Sequence, residues 1–203
     1  MDAVLYVHGK GGNAAEAEHY KSLFPSCYVT GIEYKGFTPW EAGAEIKEAV
    51  ISLKKRYEKV ILIANSIGAF FSMNADICED IAFAYFISPI LDMEKLICGM
   101  MKAARVTEEE LREKGTIPTP SLEELSWEYL RYVKGRPVKW SVPTEILFGS
   151  EDKLTSIDTV RQFAVTHGAG LSVMQGGEHW FHTREQMGFL DDQIKESERD
   201  RRK

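Results

Sequence analysis

A doubly wound α/β fold with a mostly parallel, six-stranded sheet is predicted by three features of the sequence. Short apolar runs recur at 3–7, 27–32, 60–63, 81–87, 144–148 and 171–174, each the length of a buried strand. Segments with helix start signals and helical apolar spacing separate most of them. Residues able to do chemistry follow several of the runs directly, on the edge where open parallel sheets carry their sites. Regular strand–helix alternation further implies right-handed crossovers, with helices on both faces.

The run at 3–7 leads into His8-Gly9-Lys10-Gly11-Gly12, a flexible loop. Asn13 is a natural helix cap, and Glu16 completes a capping box; this helix ends before Pro25. After the second strand, Thr38-Pro39-Trp40-Glu41 combines a cap with a first-turn proline. Gly43, Ile46, Val50, Leu53 and Tyr57 then line one helix face. The third strand ends in Ala64-Asn65-Ser66-Ile67-Gly68, a tight turn with a helix to about Cys78 behind it. Beyond the fourth strand the alternation stops. Residues 92–140 read as helical and strandless, with Met93, Leu96, Ile97, Met100, Met101 and Ala104 as one stripe. Thr107 with Glu110, and Ser121 with Glu124, match capping boxes that Gly115 and Gly135 would close. This stretch is expected to be a helical lid inserted into a single domain spanning 1–203. Alternation resumes with the fifth strand, a helix over about 157–167, the sixth strand, and a terminal helix beginning near Thr183.

Composition narrows the function. The chain of 203 residues is long enough for one domain with a full core and short for two. A net charge of −6 leaves no basic stripe for phosphates, which argues against nucleic-acid binding. The basic cluster at 199–203 reads as a frayed tail. The longest apolar run, 81–91, is broken by Ser88-Pro89 and too short to cross a bilayer, so no membrane partner is expected. Cys27, Cys78 and Cys98 are scattered and odd in number, which fits neither a disulfide framework nor a zinc site. With a strand almost at the first residue and no leader ahead of it, the expected location is the cytoplasm.

Serine is a poor nucleophile unless a base removes its proton and donors hold the oxyanion that forms. The base should be a histidine oriented by a carboxylate. Ser66 follows the third strand, Asp152 the fifth, in Gly149-Ser150-Glu151-Asp152, and His179 the sixth, in Gly176-Gly177-Glu178-His179-Trp180. All three therefore fall on one sheet edge, in the chain order Ser, Asp, His. Other assignments stay open at this point. Asp152 could cap the helix near Ile157, leaving Asp158 as the acid, and His182 competes with His179. Glu178 reads as a solvated carboxylate. Met100, Met101 and Trp127 would line an acyl pocket or simply pack.

With these residues the chain resembles the small serine hydrolases of the α/β-hydrolase superfamily over nearly its whole length, least clearly through 92–140. The G-x-S-x-G elbow of similar enzymes is matched by Ala64-Asn65-Ser66-Ile67-Gly68, with Ala64 in place of the first glycine. Their His-Gly loop is matched by His8-Gly9, their G-x-x-D turn by Asp152, and their late Gly-x-His by His179. The resemblance implies Ser66 as nucleophile, His179 as base and then acid, and Asp152 as the orienting carboxylate. It implies the backbone N–H groups of Lys10 and Ile67 as the oxyanion hole, with His8, Gly9 and Gly68 as structural support. The expected reaction is hydrolysis of a small-molecule acyl substrate, an ester or thioester, with no cofactor and no metal. Two alternatives remain. Gly9-Lys10-Gly11-Gly12-Asn13-Ala14 fits the dinucleotide pattern G-x-G-x-x-A, with Glu33 about twenty residues on as the ribose acid, as in a nicotinamide-dependent oxidoreductase. A hydrolase-like scaffold turned binding module is the other. A Walker-type loop is excluded, since glycine follows Lys10.

Overall fold

The computed structural model describes residues 1–119 and 124–201. Two compact units make up the chain: Met1–Leu91 with Lys139–Lys203, and Asp92–Val138.

The larger unit opens with β1 (Ala3–Val7), buried along its whole length. A 3-10 helix, Ala14–Ser22, follows and carries the predicted capping box of Asn13 and Glu16. It buries only Ala17 and Tyr20. So polar a segment has no long apolar stripe to seat as a full α-helix. β2 (Tyr28–Ile32) leads to α1 (Pro39–Lys54), where Thr38 Oγ1 accepts the Glu41 N–H at 3.3 Å. Ala42, Gly43, Ile46, Val50 and Leu53 form its buried face. Tyr57 lies past the end of α1, and its ring instead stacks on Tyr28, 5.0 Å between centroids.

β3 (Val60–Asn65) and α2 (Ile67–Met73) meet at Ser66. α2 stops well short of Cys78. The Asn74 side-chain amide donates to the Phe70 carbonyl at 2.8 Å, a local bond that competes with helix continuation. β4 (Phe83–Ile87) completes this half.

The smaller unit holds α3 (Met93–Ala104) and α4 (Glu108–Lys114), then β5 (Thr116–Pro118), β6 (Glu124–Ser126) and α5 (Trp127–Lys134). The expectation of a strandless segment is corrected here, because β5 and β6 pair antiparallel. Strands of three residues are too short to leave an alternation pattern. Thr107 caps α4 as predicted, and Gly115 and Gly135 end α4 and α5. Ser121 lies outside the described residues. Glu124 belongs to β6, and Ser126 is the residue that caps α5, accepting the Tyr129 N–H at 3.2 Å. Met101 is buried, Met100 and Trp127 half-buried.

Back in the larger unit come β7 (Thr144–Gly149), α6 (Ile157–His167), β8 (Gly170–Met174) and α7 (Arg184–Arg201). Ser156 caps α6, and Gly168 ends it in the left-handed conformation, φ 64°. The main sheet has the order β2-β1-β3-β4-β7-β8, and every pairing is parallel. Side chains alternate across it. Val4, Tyr6, Ile61, Ile63, Tyr85, Ile87 and Leu147 meet Tyr20, Phe24, Leu190 and Ile194 in the core of one face. α1 and α2 pack against β1 and β3. The strand order reverses between β1 and β3, so their carboxyl ends frame the switch-point crevice. The tail is not wholly frayed: Arg201 pairs with Glu198 and lies over the Phe83 ring, 4.1 Å from its centroid. Among the described residues no helix is long and apolar enough to cross a membrane.

Candidate active site

Ser66 stands at the crevice between β1 and β3 with φ 52° and ψ −120°, a backbone that a serine seldom adopts. Such a conformation costs about 1–3 kcal/mol and persists only where surrounding bonds fix it. Here the Ser66 N–H donates to the Ile87 carbonyl at 2.9 Å, and the Ser66 carbonyl accepts the Ile90 N–H at 3.1 Å. The turn is therefore stapled to the end of β4. Its glycine is required by close approach, since a Cβ on Gly68 would lie 2.5 Å from the His8 carbonyl oxygen. Ala64 replaces the first glycine without conflict: it is fully buried, in register between Val7 and Phe86.

Asp152 is set by the turn after β7. Its N–H donates to the Gly149 carbonyl at 3.1 Å, and its Oδ1 accepts the N–H groups of Leu154 and Thr155 at 2.8 and 3.1 Å. The Thr155 hydroxyl donates to the Pro89 carbonyl at 3.0 Å, which ties the acid turn to the segment after β4. The loop after β8 is held against this turn, the Glu151 N–H donating to the Gly177 carbonyl at 2.8 Å. The approach is close enough that a Cβ on Gly149 would fall 2.3 Å from that carbonyl oxygen.

These constraints bring three distant side chains into one line. His179 Nδ1 lies 2.6 Å from Asp152 Oδ2, and His179 Nε2 lies 2.8 Å from Ser66 Oγ. The Asp152 carboxylate is wholly enclosed, whereas the imidazole keeps 21% of its surface. An enclosed carboxylate that accepts only N–H bonds fixes the proton of His179 on Nδ1. Nε2 then presents its lone pair to the Ser66 hydroxyl. The competing residues lie elsewhere. His182 donates from Nδ1 to the Trp180 carbonyl at 2.7 Å, Asp158 is an exposed residue beside Arg161, and Glu178 is exposed.

His8 is buried, its ring stacked on Tyr34 at 4.2 Å, and its Nδ1–H donates to the Gly9 carbonyl at 2.8 Å. The Tyr34 hydroxyl donates to the His8 carbonyl at 2.8 Å, and burial pushes that phenol above its ordinary range, keeping it a donor. Lys10 lines the cavity at Ser66, and Ile67 is the first residue of α2, where an N–H has no partner within the helix. The cavity, about 390 Å³, is walled by the Gly9–Gly12 loop, Glu16, Asn65, Ser66, Leu154, His179 and Trp180. Tyr34, Thr155, Leu154 and Trp180 were not foreseen as parts of this region. Trp180, Leu154 and Thr155 had a usable signal, their closeness in sequence to His179 and Asp152.

The same region argues against the dinucleotide alternative. The Glu33 carboxylate accepts the Ala14 N–H at 3.0 Å, and Asn13 accepts that of Ala15 at 2.9 Å. The helix start that would receive a pyrophosphate is thus already occupied by the chain's own side-chain oxygens. Cys27, Cys78 and Cys98 are free thiols. Among the described residues, no group of three or more His, Cys, Asp or Glu could hold a metal ion.

No family model and no curated protein matches the sequence. Solved structures do resemble it along almost its full length. Est1E from Butyrivibrio proteoclasticus aligns with a TM-score of 0.79 at 16% identity, over 98% of this chain and 87% of that one. Alpha/beta hydrolase domain-containing protein 10 from mouse gives 0.71 at 15%, over 98% and 90%. The thioesterase domain from the curacin biosynthetic pathway gives 0.60 at 15%, over 95% and 90%. Likeness at such identities is a likeness of fold.

Proposed function

This chain has the α/β-hydrolase fold, and we propose that it is a serine hydrolase cleaving a small carboxylic ester or thioester through an acyl-enzyme. The observation that supports this most is the unbroken hydrogen-bond run from Ser66 Oγ through His179 to Asp152, at 2.8 and 2.6 Å. Similar folds in an alpha/beta hydrolase domain-containing protein and in a thioesterase domain agree with it. Three free thiols and a net charge of −6 fit a cytoplasmic protein acting on small molecules rather than nucleic acid.

In this reading Ser66 Oγ attacks the acyl carbon while its proton passes to His179 Nε2. The tetrahedral oxyanion is held by the N–H groups of Ile67 and Lys10, and Asp152 stabilises the imidazolium. The C–O or C–S bond then breaks, and His179 returns the proton to the departing oxygen or sulfur. Water attacks the acyl-Ser66 ester with His179 again as base, releasing the carboxylic acid and restoring the hydroxyl. A fluorophosphonate probe should label Ser66, and Ser66→Ala should abolish labelling and lower turnover by at least ~10⁴-fold. Labelling that persists in Ser66→Ala would sink the assignment. Absence of labelling in the unaltered protein would favour the binding-module alternative.

A further inference from the structure

Beside the relay the chain leaves two large apolar side chains open to solvent. Trp180 follows His179 directly and is 68% exposed; Leu154, two residues after Asp152, is 52% exposed. Both line the cavity that holds Ser66 and His179. Leaving a large apolar side chain in water forgoes the favourable free energy of burying it, so two in one small cavity call for an explanation. For Leu154 the backbone supplies part of one, since its N–H is a donor to Asp152. The Trp180 indole has no such part in the relay.

The indole nevertheless has a stacked neighbour. The His182 ring stacks on it, 4.3 Å between centroids and 19° from parallel. His182 Nδ1–H donates to the Trp180 carbonyl at 2.7 Å, and the His182 backbone N–H donates to Gln186 Oε1 at 3.0 Å. Gln186 is itself buried, and its Oε1 also accepts the Thr183 N–H at 3.2 Å. A hydrogen-bonded histidine just ahead of α7 thus backs an exposed ring at the wall of the cavity. An aromatic braced by one stacked neighbour and otherwise open is a platform for a second ring, at little further entropic cost.

The side of the cavity decides which part of a substrate this platform would meet. In acyl transfer the imidazole delivers its proton to the departing atom, so the leaving group lies on the imidazole's side of the nucleophile. Trp180 and Leu154 belong to the loops that carry the imidazole and its carboxylate. Resting on the serine-hydrolase reading, we infer that the Trp180 indole is a leaving-group subsite selecting aromatic rings, so that esters or thioesters of arylalkyl alcohols or thiols are the preferred substrates.

The test compares 2-phenylethyl acetate with hexyl acetate, whose leaving groups are both primary alcohols and differ in the ring. The unaltered protein should favour the phenylethyl ester in kcat/KM. Trp180→Ala should cut that preference about 2- to 10-fold through KM, the size of one aromatic contact, and Trp180→Phe should restore most of it. A second arm needs no turnover. In Ser66→Ala, 2-phenylethanol should shift the Trp180 indole N–H resonance, identified by its loss in Trp180→Phe, and hexanol should not. A preference unmoved by Trp180→Ala, or an indole resonance unmoved by 2-phenylethanol, overturns the subsite. An intact shift in a protein that no fluorophosphonate labels would instead overturn the hydrolase reading and leave an aromatic-binding cavity.

Discussion

Asp152 does two jobs with one carboxylate. Oδ1 closes its own turn through the Leu154 and Thr155 N–H groups, and Oδ2 holds His179. Asp152→Asn separates them. An asparagine oxygen can still accept from the turn, but its amide would donate to Nδ1 and force the proton onto Nε2, where it blocks Ser66. Turnover should fall about 10⁴-fold, as for the equivalent change in other triads, with the far-ultraviolet circular dichroism unchanged. Retained activity would remove Asp152 from the relay. Gly149 makes a different point at this scale. A methyl group there meets the Gly177 carbonyl oxygen at 2.3 Å, so the acid turn and the histidine loop must separate. Gly149→Ala should cost about 1–3 kcal/mol in denaturant unfolding and should lower kcat together with stability. Normal stability with normal kcat would show that the two loops do not depend on each other.

Among the elements, β7 and β8 carry a strain of another kind. Glu145 of β7 is half-buried opposite Gly170 of β8, its carboxylate over the space that glycine leaves. Burial raises its pKa above the ordinary carboxylate value. The sign follows directly. Above the folded pKa the native state holds a poorly solvated charge, and that penalty disappears as pH falls below the unfolded value of about 4.3. Glu145→Gln should therefore raise Tm at neutral pH, and the gain should shrink toward pH 4. A gain of equal size at both pH values would assign the effect to packing. The 3-10 helix after β1 is the other instructive element. Its glycine-rich approach matches a dinucleotide loop in sequence, yet Glu33 and Asn13 fill its first donors from within the chain.

At the scale of the molecule, the last helix reaches the middle of the sheet. The Tyr85 hydroxyl in β4 donates to Glu198 at 2.8 Å and lies 3.0 Å from Ser197 Oγ, and burial is the main cause of its raised pKa. Glu198 also pairs with Arg201, which covers Phe83. Glu198→Ala leaves the Tyr85 hydroxyl and the Arg201 guanidinium short of a partner, and should cost about 1–3 kcal/mol in denaturant unfolding. No change would show that the docking of α7 does not depend on the Glu198 contacts. The same sheet makes the crevice at Ser66, because its order reverses between β1 and β3.

Local pattern alone carried the parallel alternation, the caps at Asn13, Thr38 and Thr107, and Ser66, Asp152 and His179 as strand-end residues. Each of these depends on neighbours within a few positions, where periodicity and hydrogen-bonding chemistry are written directly in the chain. The short β5–β6 pair, the early stop of α2 and the Tyr85–Glu198 contact were beyond its reach, since they turn on three-residue strands, one side-chain amide and a contact spanning most of the chain. That His179 rather than His182 lies beside Ser66, that Glu33 and Asn13 close the helix start after β1, and that an exposed indole stands at the cavity wall likewise belong to the tertiary structure. They are settled by which backbones approach closely, and close approach is a property of packed loops rather than of sequence order.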